Sequence, residues 1–245
     1  MNKIKVNELK VNNDFLEIDL EQVIVTFSTA NKDRSFNRHN DIGLENLESI
    51  KRDFKVKDVK YLQQIHSDKA YIYKKGYENI KDEEGDAIIT REESVAVGVF
   101  TADCVPIIIV NEESKIVAAV HSGWKGTFNS IVVNTINKME IESSMNIDNT
   151  KVYIGPHIRQ CCYEISEELK EKFISSTGIE EDVLFKGRNL SMEECILRDL
   201  RNVGIKENNI FSLDLCTHCE KSVKLHSYRG TNGTYGRLFS FAYIK

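Results

Sequence analysis

Two apolar runs set the frame of this chain: FTADCVPIIIV, ending at Val110, and KIVAAVHSGWKG, starting at Lys115. Both are rich in Val, Ile and Ala, and the polar residues Asn111-Glu112-Glu113-Ser114 between them read as a turn, so the stretch predicts an antiparallel hairpin. If those residues form the loop, Val110 faces Lys115, and counting back six positions on each arm sets Cys104 against His121. Directly opposed residues have Cβ atoms about 4.5–5.5 Å apart, near enough for both to hold one zinc ion or for a thiol to meet its base. Pro106 cannot donate to a ladder and marks an edge or bulge at which the register can slip by one.

The rest of the chain alternates strand and helix patterns around this hairpin. Strand character is expected at Phe15–Leu20 and Val23–Thr29, followed by a polar loop to Gly43, and again at Val59–Ile65, Ala70–Tyr73, Ala87–Thr90, Val95–Val110 and Lys115–His121. In Phe128–Met139 the residues Ile131, Val132, Thr135, Ile136 and Met139 share one helical face, and after a strand at Val152–Ile154 two further helices are expected at Ser166–Thr177 and Ser191–Val203. The segments IFSLDLC, KLHSYRG and GRLFSFAYI return to strand character. Strands interrupted by helices, with hairpins among them, imply a mixed α/β (α+β) arrangement rather than a doubly wound parallel sheet.

With 245 residues and 41% hydrophobic content the chain can bury a substantial core, and without repeats or a Gly/Ser/Pro-rich linker it is expected to be one domain, 1–245. No run approaches the roughly 20 apolar residues of a membrane span, and MNKIKVNELKVNNDF lacks the apolar core of a signal peptide, so no membrane association and a cytoplasmic location are expected. A net charge of −5, with both signs interleaved in EELKEK and RDLRNVGIKE, describes solvated helix faces and argues against a nucleic-acid surface. Six irregularly placed cysteines do not make a disulfide scaffold; in a reducing compartment they are thiols or metal ligands.

His66, in LQQIHSDKA, ends an apolar run and precedes a polar turn, which sets an imidazole at a sheet rim. With Cys104 and His121 it would complete a set of two imidazoles and one thiolate, leaving a fourth zinc position open, as catalytic sites require. The alternative is that each is an ordinary core or surface residue. Cys216-Thr217-His218-Cys219 has the spacing of a redox pair or half a zinc knuckle, but no second CxxC exists; Cys161-Cys162 reads as packing, because neighbours on a strand point to opposite faces. Trp124, the sole Trp, either stacks on a ligand or covers the site, and Asp103, adjoining Cys104, reads as a backbone anchor.

Several of these pieces resemble the YfiH family, also called the laccase-domain or multicopper polyphenol oxidase family, which is FAMIN-related. The matching segments are Gln64-Ile65-His66-Ser67-Asp68, Gly85-Asp86-Ala87, Thr101 to Pro106, His121 to Thr127, Ile154-Gly155-Pro156, Cys161 to Glu164, Ser227-Tyr228-Arg229 and Gly236-Arg237, in family order from about Val23 onward. The resemblance implies a zinc site at His66, Cys104 and His121, and purine nucleoside phosphorylase activity on adenosine, inosine and methylthioadenosine, with adenosine deaminase activity alongside. It also implies an α/β sandwich similar to the catalytic domain of cytotoxic necrotising factor. Substrates would then be purine nucleosides and phosphate, with Arg229 the candidate phosphate contact because its planar fork matches that anion. The oligomeric state is open, a monomer being compatible with all of this.

Two departures stand out. After Phe27-Ser28-Thr29 the family carries an Arg and a glycine pair, whereas this chain has Ala30-Asn31-Lys32, leaving Arg34 or Arg38 to serve from the same loop; and His226-Ser227-Tyr228-Arg229-Gly230 has one arginine where the family often has two. Six histidines, at 39, 66, 121, 157, 218 and 226, cannot furnish both a blue-copper centre and a separate copper cluster, so oxidase chemistry is not expected. The alternatives are a cysteine hydrolase with Cys104 as nucleophile and His121 as base, and a non-enzymatic zinc or redox module built on the C-terminal cysteines.

Overall fold

The computed structural model describes residues 1–245. The hairpin forms with its loop moved one residue along, so that Val105–Asn111 and Ile116–Ser122 flank Glu112–Lys115, Val117 faces Val110 and His121 faces Pro106. The expected pairing of Cys104 with His121 is thereby corrected by two positions. The cause is Asn111, which is fully buried and belongs to the strand: its amide donates to Asn146 O (2.9 Å) and Thr150 Oγ1 (3.0 Å) and its side-chain oxygen accepts from Ser114 N (3.0 Å). Lys115, at φ 46°, completes the turn.

The long run expected over Val95–Val110 is two strands in two different sheets, Val95–Thr101 and Val105–Asn111, separated by a bend at 102–104. Asp103 makes the bend at φ 90°, a costly conformation for a residue with a Cβ. Its carboxylate accepts from Thr217 Oγ1 (2.6 Å) and Arg229 N (2.7 Å), and its carbonyl from Ile158 N (2.9 Å). Pro106 is tolerated because Gly155, which donates its N–H to Pro106 O (2.9 Å), has its own carbonyl bonded to His157 Nδ1 (2.9 Å) and needs no N–H from Pro106.

One sheet runs Asn2–Lys3, Ile210–Ser212, Lys151–Ile154, Val105–Asn111, Ile116–Ser122, Ala87–Thr90, Ala70–Tyr73; the other runs Lys10–Asn12, Phe15–Asp19, Val23–Ser28, Leu238–Ile244, Val95–Thr101, Asp58–Lys60. Both are mixed, with parallel pairs in the first between Ala70–Tyr73 and Ala87–Thr90, and in the second between Asp58–Lys60 and Val95–Thr101. Alternation along each strand then separates the cores. Ile107 and Ile109 face the helices Ile131–Ser143, Glu167–Thr177 and Met192–Asn202, while Ile108 and Val110 meet Val25, Phe27 and Val97 of the other sheet. On the far side Phe15, Phe100, Phe239 and Phe241 pack against Leu47 and Ile50 of the helix Asp41–Asp53. The result is an α/β sandwich of two mixed sheets between helical layers.

Helix Asp41–Asp53 begins at the end of the expected loop to Gly43 and continues through a stretch for which no element is expected; only Gly43, Leu47 and Ile50 of it are buried, and Asn40 caps it by accepting from Gly43 N (2.8 Å). The helix expected over Phe128–Met139 is two, Trp124–Phe128 and Ile131–Ser143, divided by Ser130 at φ 57°. Ser166 and Ser191 cap the next two expected helices. KLHSYRG is not a strand, and Cys161-Cys162 lies in a turn, so the strand argument for opposed side chains does not apply there. No helix is long and apolar enough to cross a membrane.

Candidate active site

The bend at Cys104, the end of the His121 strand and the His66 turn converge at one rim of the sandwich. The ligand atoms of His66, Cys104 and His121 lie within 4.8 Å of one another, with Cys104 Sγ 3.7 Å from His66 Nε2 and the two imidazoles nearly perpendicular at a centroid separation of 4.8 Å. His121 is buried, Cys104 half-buried and His66 exposed, so the group opens to solvent on one side. Gly123 makes the convergence possible: a Cβ there would lie 2.7 Å from His66 Cδ2 and 3.1 Å from Cys104 Sγ.

Asp86 organises the set. Fully buried, it accepts from His121 Nδ1 (2.8 Å), from the backbone N–H groups of Ile65 (3.3 Å), His66 (3.0 Å) and Ser67 (2.6 Å), and from Ser67 Oγ (2.7 Å). Those bonds hold His66 at φ 59°, a backbone state that persists only where its surroundings impose it. With Nδ1–H donating to the carboxylate, His121 in its neutral form has its Nε2 lone pair free, which is the orientation a metal-ligating imidazole needs. Burial alone would raise the Cys104 thiol, but His121 and His66 beside it bring it down to about 6. Burial alone would lower His121, but the Cys104 charge and the Asp86 carboxylate push it up to about 9. The ion-free centre is thus a thiolate–imidazolium pair, and a cation can replace the imidazolium proton. One thiolate and two neutral imidazoles make a donor set suited to a borderline divalent ion, so these residues could hold a metal.

The three groups open into a cavity of about 570 Å³, within the range of small-molecule sites. Three guanidiniums line it, Arg38, Arg229 and Arg237, and none of them is in an ion pair with a carboxylate. Burial lowers Arg38 and Arg237 from their ordinary values, so both favour an anion at this wall. Arg38 lies over the Phe100 ring at 5.1 Å, and Arg229 donates to Glu164 O (3.1 Å). Arg34, the other loop candidate, is instead bound to Asp14 (3.1 Å) and Asp53 (3.7 Å) and does not line the cavity. Trp124, Tyr163, Tyr228 and Tyr235 supply aromatic surface.

Sequence reasoning passed over the roles of Asp86 and Arg237, although both stood in quoted segments. An acid directly before the apolar run Ala87-Ile88-Ile89 was the available signal for Asp86. Outside the cavity lining, Cys161, Cys162, Cys216 and Cys219 form a second group with sulfurs within 4.8 Å of one another, and Cys162 also packs against the core.

The family described as multi-copper polyphenol oxidoreductase laccase matches residues 25–245. A purine nucleoside phosphorylase of Clostridium acetobutylicum is 41% identical over 227 residues, 93% of this chain and 94% of that protein. An adenosine deaminase from an unknown prokaryotic organism is 30% identical over 165 residues, 65% of this chain and 62% of that protein. Among solved structures, the Bacillus licheniformis hypothetical protein YfiH superposes with a TM-score of 0.87 at 24% identity, covering 98% of this chain and all of that one (100%), a likeness of fold.

Proposed function

From the chain's membership of the family described as multi-copper polyphenol oxidoreductase laccase, we propose that it is a zinc-dependent purine nucleoside phosphorylase acting on adenosine, inosine and methylthioadenosine, with adenosine deaminase activity alongside. The observation that carries this reading is the meeting, in one nucleoside-sized cavity, of the His66, Cys104 and His121 donors with three guanidiniums that have no carboxylate partner. Copper oxidase chemistry does not fit the residues: only two of the six histidines, His66 and His121, belong to a metal-capable group, and the second such group is all cysteine.

His66 Nε2, Cys104 Sγ and His121 Nε2 would hold the zinc, which when bound supplies Lewis-acid polarisation of a substrate atom. The chain's own groups do the rest. Arg38, Arg229 and Arg237 bind and orient phosphate, lowering the cost of bringing an anion against the sugar. A hydrogenphosphate oxygen forms a bond to the anomeric carbon as the bond to the purine nitrogen breaks, and the proton the phosphate loses ends on the departing purine, giving free base and the sugar 1-phosphate, ribose 1-phosphate from adenosine or inosine. The aromatic rings of Trp124 and Tyr163 offer surface against which a purine can lie.

A second reading is favoured by the Cys104–His121–Asp86 chain, which has the order of a nucleophile, its base and an orienting acid. Product analysis separates the two. Incubation with adenosine or inosine should release base only when phosphate is present, adenosine should also yield inosine, and Cys104→Ala should abolish the release. Absence of base release from every purine nucleoside tried, with zinc fully bound, would sink the phosphorylase reading; covalent trapping of a metal-free Cys104 by an acyl substrate would favour the hydrolase.

A further inference from the structure

The four cysteines outside the cavity come from two irregular segments that the fold brings side by side. Cys161 and Cys162 occupy the turn after Gly155-Pro156, and Cys216 and Cys219 bound the turn 217–219. An isolated parallel bridge pairs His157 with Cys216, with Thr217 N donating to His157 O (2.9 Å) and His157 N to Leu215 O (3.2 Å). All four sulfurs lie within 4.8 Å of one another, and Cys161 Sγ is 3.6 Å from Cys219 Sγ. A zinc ion with Zn–S bonds of about 2.3 Å sets tetrahedral sulfurs about 3.8 Å apart, and the observed spread brackets that edge.

We propose that Cys161, Cys162, Cys216 and Cys219 hold a second, structural zinc ion in a closed all-thiolate site. On binding, four thiols release four protons to solvent and each sulfur gives an electron pair to the ion; no oxidant or reductant is needed. A tetrahedral four-sulfur set takes zinc or iron, and zinc needs no redox partner. The mixed exposure, with Cys216 buried and Cys161 and Cys219 exposed, leaves a path for the ion to enter.

The site has a structural task. Between Ser212 and Leu238 the chain has no strand and only one short helical turn, Arg229–Thr231, yet this segment brings Tyr228, Arg229, Tyr235 and Arg237 to the cavity. The zinc would tie its start to the turn that leads into Tyr163, closing a long irregular stretch whose ordering otherwise costs entropy. The proposal stands whatever reaction the cavity performs.

The test is metal content of the intact chain, purified in the presence of a thiol reductant, for the wild type and for Cys104→Ala, Cys219→Ser and the double variant. Cys104→Ala should keep one zinc per chain, surrounded by four sulfurs at about 2.3 Å in X-ray absorption, and the double variant should keep none. Cobalt titration of Cys104→Ala should give intense sulfur-to-metal charge-transfer absorption, lost in the double variant. Because Cys219→Ser can misfold, the absorption measurement on Cys104→Ala decides independently of it. Zinc-free or iron-loaded Cys104→Ala overturns the proposal, as does thiol counting that finds these four cysteines paired as disulfides in reductant-treated protein.

Discussion

Asp86 has no lysine or arginine partner, and its acceptor capacity goes to the turn that presents His66 and to the ring of His121 on its strand. Asp86→Asn keeps the volume but replaces one oxygen by a donor facing N–H groups. Its expected effect is a loss of metal affinity of about 10–100-fold, read by competition with a chelator, with a stability cost of roughly 1–3 kcal/mol read by urea unfolding. Unchanged zinc affinity would show that His121 is oriented by other means. Which side chains could serve as ligands was legible in the sequence, because Cys and His carry that chemistry wherever they stand. The role of Asp86, and the choice between Arg34 and Arg38 at the cavity, were not so legible. An acid bound to backbone N–H groups, or an arginine without a carboxylate, is defined by its neighbours, and those neighbours lie some 20 to 60 positions away or more.

At the level of elements, the hairpin and most strands could be read from apolar runs, but the breaks between them could not. The bend at Asp103 depends on Thr217 and Arg229, more than a hundred residues downstream, and the loop register depends on Asn146 and Thr150 meeting Asn111. Helix Asp41–Asp53 was obscured for the opposite reason: it shows the core only a narrow face, and its start is set by the Asn40 cap. Asn40→Ala should therefore cost about 1 kcal/mol and lower Tm by about 2–4 °C, a shift calorimetry can resolve; no shift would mean the helix is held by packing alone. Gly123, at the junction of the His121 strand and helix Trp124–Phe128, should be far less tolerant. Gly123→Ala pushes a methyl group against His66 and Cys104, and kcat/KM should fall about 100-fold while Tm stays close to wild type. Full activity in that variant would remove the two side chains from the reacting centre.

Across the whole molecule, stability depends on a buried carboxylate that does not itself line the cavity. Glu193 in helix Met192–Asn202 bonds to Ser212 Oγ (2.7 Å) and Arg159 Nη2 (2.8 Å), tying the helical layer to the Ile210–Ser212 strand and to the segment that leads into Cys161. Burial alone would raise its carboxyl, but His157, Ser212 and Arg159 hold it below the ordinary glutamate value. The unfolded chain therefore takes up this proton more readily than the folded one. The stabilisation is fully present above the unfolded value, near pH 4.5, and is lost as pH falls through the depressed folded value. Glu193→Gln should be less stable than wild type by about 1.5–3 kcal/mol at neutral pH, the usual worth of a hydrogen bond to a charged group. Urea unfolding at a series of pH values should show that gap closing as the solution is acidified below the glutamate range, because the wild type then loses the charge the variant never had. A gap that stays constant down to the acid limit would mean that Glu193 acts through shape and packing, and that the pairing of helix and strand here does not depend on its ionisation.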